Sequence, residues 1–553
     1  MKNNIMKKTI CFALTACFLS FTACQSPEVL ISDNPTAGAD KIWATLPDGK
    51  GEFFVENPHP YKDGDVLTVV IPWYYPEEST QETDMTQMKL YASLPNNVKI
   101  EPGLGKLIDL SQDQRLTVTS PNGAKSTLII KAERRRSDKK MITDFSLSNG
   151  LSGIILEDKK MVGLVAGGQD LANLTPNIKV SPHASISPDP TLPQDFNNPV
   201  TYTITAHDGS TQEYTVQTFI PNKIARGLRK ASAKQLFSVK LADLGVGRLD
   251  WAYAIAISDK YVYLNTRNED LIYIDRFTGK KVGTIELPFK SGLGNFFVTN
   301  DDKGTVLLSN LNQDAGKPLN IYRINGTGAP EVYIEYKGEH AKGAGRRMSI
   351  VGSLDGDALI LVSIQQSSKF IYWKVTGGVL QSPEPQLYTA DVSKIKWNFV
   401  SDAAPLDKQD LSKGLFLAGY GPVNAVGLFN GDGSLNAALN LEALGIEKDV
   451  NQSFDLVDFN GANYLAMASH VTGKHTLAYL FDVTSPASIG GDPKSPEFLI
   501  YKSPELSAPN NAGSIADVHL KVSPDGLKMI LYLLGSAGGV DAYEFDCIDV
   551  DNL

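Results

Sequence analysis

Apolar and polar residues alternate with a period of two along most of this chain, and Gly, Pro, Asn or Asp breaks the alternation every few residues. That period places successive side chains on opposite faces of a strand, so each run is a half-buried β-strand and each break a turn. Helix-period stretches are scarce. "ARGLRKASAKQ" (225–235) and "LNLEALGIEKD" (439–449) are the only two that the pattern admits as short helices. The expected class is all-β.

The N-terminal third repeats itself. "DLSQDQRLTVTSPNGAKSTLIIK" (109–131) aligns without a gap on "DFNNPVTYTITAHDGSTQEYTVQ" (195–217). In each, alternation runs into Asn-Gly or Asp-Gly and resumes, which specifies a hairpin with a tight turn. Upstream, "PNNVKIEP" (95–102) aligns with "PNIKVSP" (176–182). Two tandem units of this size have strands enough only for small sandwiches. Their expected bounds are 45–137 and 138–222.

From about residue 223 to 553 the period lengthens. Six segments share a plan of strand, turn, strand, variable loop, strand, turn, strand. The clearest is "AYAIAISDKYVYLNTRNEDLIYIDRFTGKKVGTIEL" (252–287); the others begin near Asn295, Arg347, Trp397, Gln452 and Ala516. Four strands repeating at this spacing predict the blades of a β-propeller. The last segment has only three strands, and "KQLFSVKLADL" (234–244) precedes the first, so joining them closes a ring of six blades; a ring of seven is the alternative.

Propeller geometry turns the pattern into a site. Loops leading into each innermost strand share a face with loops joining second and third strands. The first set offers Asp250, Trp251, Asn295, Arg346, Arg347, Trp397, Asn398 and Asp517. The second offers Asn265, Arg267, Asn312, Gln366, Tyr420 and His470. Of these, Trp251, Arg267, Asn295, Arg346, Arg347, Trp397, Asn398, Tyr420 and His470 are the candidate ligand-binding residues. Aromatic rings among fixed hydrogen-bonding groups suit a polar ligand with an apolar face, such as a sugar. Trp251 and Trp397 would equally serve as packing between blades, and Trp373 in "KFIYWKV" reads as core. A second aromatic run, "VVIPWYYPEEST", puts Trp73, Tyr74 and Tyr75 in a loop that the second repeat lacks. It either packs against a neighbouring domain or offers a stacking surface; Pro72 and Pro76 would stiffen it as a packing wedge.

The four cysteines and the first residues bear on location. Lys2, Lys7 and Lys8 precede an apolar stretch from Thr9 to Phe21 and the small pair Thr22-Ala23, the layout of a secretory signal over 1–23. Phe21-Thr22-Ala23-Cys24 resembles a bacterial lipobox, with Phe where Leu is commonest, which implies lipidation at Cys24. Cys11 and Cys17 would leave with the signal, and Cys547 in "AYEFDCIDV" would stay as a buried thiol. The alternatives are a Cys24–Cys547 bridge or a plainly cleaved signal. "QSPEVLISDNPTAGADK" has the composition of a tether, expected over 24–44. The chain carries 52 Lys and Arg against 62 Asp and Glu, a formal charge of −10, which losing the signal lysines would make −13. That balance argues against nucleic acid as a partner.

The stretch from "MITDFSLS" through "DLANLTPNIKVSPHASISP" to "YTITAHDGSTQEYTV" resembles an Ig-like domain of Bacteroidota surface lipoproteins, and the first repeat resembles a divergent copy. The resemblance covers about residues 141–220. It implies two Ig-like spacer domains ahead of the propeller on a lipid-anchored outer-membrane protein. Glu28, close behind Cys24, resembles the surface-export signal of that group; the periplasmic face is the alternative.

Motifs for enzyme chemistry are missing: no Gly-x-Ser-x-Gly, no Gly-Lys-Ser/Thr phosphate loop, no His-Glu-x-x-His. His470 and His475 are the closest histidine pair, and no metal or other cofactor is expected. The expectation is a binding protein that captures a glycan and, by the resemblance, passes it to an outer-membrane transporter. The alternatives are a propeller glycoside hydrolase or lyase acting through paired carboxylates, and an adhesin or assembly scaffold.

Overall fold

The computed structural model describes residues 38–391, 400–420, 425–509, 511, 513 and 515–552. Cys24 and the signal, Trp397 and Asn398 lie outside the described residues. The chain is all-β: ten sheets carry the described structure and none closes into a barrel. The single α-helix among the described residues is Leu441–Leu444, within the second helical stretch read from the sequence; it starts at Asn440, whose side chain caps Ala443 N at 3.0 Å. The other stretch is not a helix. Residues from Arg229 onward form the strand Arg229–Lys240, because pairing with the C-terminal strand outweighs the helix propensity of its Ala, Lys and Gln.

Two compact units divide the chain. One holds the described residues up to Met141 with Val180–Ser185 and Ile204–Gln212; the other holds the remainder. In the first, two four-stranded sheets enclose one core that includes Ile42, Leu67, Val69, Leu90, Leu116 and Ile130. Lys41–Thr45 already pairs with Met88–Ser93, so β-structure begins ahead of residue 45. The hairpin read at Asn122-Gly123 joins Gln114–Thr119 to Lys125–Arg135, with Gly123 at φ 85°. Its later counterpart turns at Asp208-Gly209, where Gly209 has φ 89°. The two repeats match beyond their hairpins, since each hairpin's second strand also pairs in parallel with an earlier strand: Lys125–Arg135 with Val66–Pro72, and Thr211–Thr218 with Met161–Leu164.

In the second unit six antiparallel sheets follow one another. Their innermost strands are Ala252–Ile257, Phe297–Asn300, Ala344–Gly352, Val400–Pro405, Val450–Phe459 and Ala516–Val522. Each lies against the next and the sixth lies against the first, so the strands form a ring. Apolar clusters fill the spaces between adjacent sheets; Phe416, Leu465 and Phe481, for example, join the fourth to the fifth. The sixth sheet takes its outer strand from the front of the ring: Arg229–Lys240 pairs with Gly539–Asp546. Trp373 is core, with its indole N–H donating to Pro383 O, and Cys547 is fully buried.

An innermost strand has a neighbour on one edge only, which leaves backbone donors towards the axis unpaired. Side chains from adjacent sheets accept from them. Asp517 takes Ile255 N at 2.8 Å, Asn300 takes Ile257 N, Asp402 takes Phe454 N, Ser453 takes Val518 N and Asp455 takes Leu520 N, while Asp301 takes Leu354 N in the turn after the third strand. A buried amide without such a partner costs about 1–3 kcal/mol. The polar axis is thus first of all a set of strand caps.

Candidate functional site

On one face of the ring the segment before the first innermost strand carries Arg248, Asp250 and Trp251. Arg267 N donates to Trp251 O at 3.0 Å, which sets these two residues side by side. The Arg248 guanidinium lies 3.5 Å from the centre of the half-buried Trp251 ring and that of Arg267 4.6 Å. Arg267 also reaches the rings of Tyr253 (5.7 Å) and Phe296 (5.5 Å), and Arg346 lies 5.8 Å from Phe296. Trp251, Arg267 and Arg346, three predicted residues from three separate segments, therefore converge. Burial, followed by repulsion from Arg346 and Arg248, holds the Arg267 guanidinium below its ordinary value, against the pull of Tyr253 and Asp250.

Other predicted residues hold the frame. Asn295 is fully buried, donating to Asn265 Oδ1, Thr266 O and Glu269 O while accepting from Asn268 N at 2.9 Å. All its polar groups are occupied, so it fixes the loop instead of facing a ligand. Asn312 is likewise buried on Lys317 O and Ala341 O. Arg347 is sealed at 1% exposure, paired to Asp517 at 3.0 Å and donating to Ala516 O at 2.7 Å. His470 is buried with Nδ1 2.9 Å from Thr476 Oγ1, and burial with the nearby His475 lowers its pKa to about 4. It is neutral and enclosed. Asn295 and Arg347 thus turn onto backbone and charge at the loop bases, and His470 is enclosed beside Thr476. Tyr420 ends the strand Leu415–Tyr420, and Gln366 is exposed with φ 58°.

At the other end of the axis lies a cavity of 430 Å³ lined by Asp301, Asp302, Lys408, Asp455, Asp458 and Lys521 among others. Asp302 keeps access to water, yet desolvation in the cavity, with the charges of Asp455 and Asp301, pushes it up to about 6. Deeper in, His519 sits 3.4 Å from Asp455 and 3.8 Å from Asp517. Burial opposes its protonation, but the hydrogen bond to Asp455 and the charges of Asp517 and Asp402 outweigh that and raise its pKa. Asp402, fully enclosed, is raised to about 6 by burial, which exceeds the opposing effects of Arg347 and Phe454 N–H. Of this row, sequence reading named only Asp517, and as a loop residue of the opposite face. The row's signal is in "ADVHLKV", where Asp517, His519 and Lys521 alternate with Ala516, Val518 and Leu520 along a wholly interior strand.

In the first unit, Trp73, Tyr74 and Tyr75 border a cavity of 550 Å³. Their rings already have partners there: Arg134 and Arg136 lie 4.6 and 4.8 Å from Trp73, Tyr74 stacks on His183 at 3.7 Å, and Tyr75 meets Phe53 edge-on. His183 also contacts Glu77 O at 2.9 Å. Packing is the reading of this loop that these contacts favour. Among the described residues no group of three or more His, Cys, Asp or Glu is placed to hold a metal ion.

A family described only as a domain of unknown function, DUF8500, matches residues 235–551, more than half the chain, and the protein belongs to it. Two further domains of unknown function match the front of the chain, DUF5018 over 19–132 and DUF8499 over 142–218. No curated protein matches the sequence. Among solved structures, a DUF4623 family protein from Bacteroides eggerthii is similar at 15% identity over 74% of this chain and 98% of that one, with a TM-score of 0.46. AofleA from Arthrobotrys oligospora is similar at 12% identity over 58% of this chain and 92% of that one, with a TM-score of 0.33.

Proposed function

We propose that this protein is a lipid-anchored cell-envelope protein that captures a glycan on the loop face of a six-bladed β-propeller, with two Ig-like domains as spacers. The ring of six innermost strands and its closure by Arg229–Lys240 support the propeller. The two-sheet core and the repeated hairpins support the sandwich domains. The Cys24 lipobox pattern and its position behind an apolar stretch support the anchor. The glycan would pass from this face to an outer-membrane transporter. The observation that carries the binding reading is the convergence of Trp251, Arg248, Arg267 and Arg346 on one open face. The guanidinium N–H groups held over these rings would receive a sugar's hydroxyls.

A second reading, a glycoside hydrolase or lyase, draws on the opposite cavity, where Asp302 is raised to about 6 beside Lys521. Against it, the neighbouring Asp455, Asp402 and Asp517 carboxylates are engaged by strand amides. The test is to incubate the full chain in detergent with host and plant polysaccharides and follow retention and released reducing ends together. Retention without new reducing ends, weakened at least tenfold by Trp251→Ala, is the expected result. Release of reducing ends that stops in Asp302→Asn would replace capture by catalysis.

A further inference from the structure

We propose that the loop face selects an acidic saccharide, and that Arg267 receives its carboxylate. This rests on the glycan reading above and narrows it to a ligand class. Arg267 is a half-buried cation with no carboxylate at ion-pair distance among the described residues, and its Nε is buried without a hydrogen-bond partner. Both nearby acids are committed elsewhere. Asp250 lies 3.2 Å from Arg248 Nε, and the Glu269 carboxylate accepts the Gly247 and Arg248 amides at 3.1 and 2.8 Å. Arg346 and Arg248 add like charge around Arg267.

Three arginines on one rim of a chain with a formal charge of −10 run against the average field of the molecule. The rings of Trp251, Tyr253 and Phe296 hold the Arg267 guanidinium in place, so little side-chain freedom is lost when it binds. A planar carboxylate matches its fork and relieves the repulsion. The hydroxyls of a neutral sugar accept from the same guanidinium but carry no charge to offset the repulsion.

The test compares matched polymers on the full chain: polygalacturonate against its fully methyl-esterified form, with dextran as a neutral control and heparin as a sulfated one. Titrations at about 20 and 300 mM salt would be run on the native protein, Arg267→Lys and Arg267→Ala, with melting curves confirming that each variant folds. The expected result is polygalacturonate bound about tenfold or more tighter than its ester, weakened by salt. Arg267→Ala should cost at least another tenfold and Arg267→Lys less. Equal binding of the acid and the ester, unchanged in Arg267→Ala, would overturn the charge inference while leaving glycan capture standing. Preference for heparin, with polygalacturonate and ester alike, would overturn the carboxylate assignment. Failure of every polymer, together with no Arg267-dependent binding of free glucuronate, would remove both readings.

Discussion

Arg347 and Asp517 meet at 3.0 Å with both side chains at 1% exposure, so each offsets much of the other's cost of burial. Asp517 additionally accepts from Ser453 Oγ at 2.6 Å and Ile255 N. Arg347→Ala strands a buried carboxylate and should lower stability by about 3–5 kcal/mol in chemical denaturation. Arg347→Met combined with Asp517→Asn keeps an acceptor for Ile255 N and should recover much of that loss. His470 gives a pH signature. Its folded pKa of about 4 lies below the unfolded 6.5, so the unfolded state binds more protons between the two values. Stability at this site is complete above pH 6.5 and drains away as pH falls towards 4. His470→Gln should flatten that acid limb, by roughly 3 kcal/mol at most. Trp373 was legible as core because it sits within an apolar strand, and Cys547 because it directly follows one. Asn295 and His470 were not, because sequence places a polar residue at a strand end without saying whether it turns outward or back onto bare backbone.

At the level of elements, the six innermost strands explain why the axis is rich in acids. Asp517, Asp402 and Asp455 each cap an amide on the innermost strand of an adjacent sheet, so much of the axial acid serves the strands themselves. Alternation located all six strands, because interior strands of this length are dense in apolar residues. It failed at 225–235, where two bulges in the pairing with Gly539–Asp546 interrupt the period and helix-forming residues fill the gap. The third innermost strand carries another bulge, between Ala344 and Met348, which aims Arg346 and Arg347 differently. Gly345 makes it possible: its φ is 101°, and a Cβ there would lie 1.8 Å from Asn310 O. Gly345→Ala should therefore destabilise the fold by about 2 kcal/mol or more. It should also weaken ligand binding in the surviving folded fraction, read by melting and titration on the same sample.

For the whole molecule, the proposed division of labour is an anchor at Cys24, two small sandwich domains, and a ring that offers one face to ligand. Turn chemistry made the glycine turns at Gly123 and Gly209 legible from sequence, and the four-strand repeat did the same for the ring of six sheets. The arginine cluster was half legible, since Trp251, Arg267 and Arg346 fall at loop positions while Arg248 and the supporting Phe296 depend on three-dimensional approach. Cys24→Ser should release the protein from membranes into the soluble fraction of cells, seen by fractionation and by loss of acyl mass at the N-terminus. Where the ligand sits is the sharper question. Amide hydrogen exchange of the full chain, with and without saturating polysaccharide, answers it directly. The account predicts protection confined to the segments around 247–251, 266–271 and 344–347. Protection around 301–302, 406–408 and 455–458 instead would place the ligand in the acid-lined cavity and contradict it.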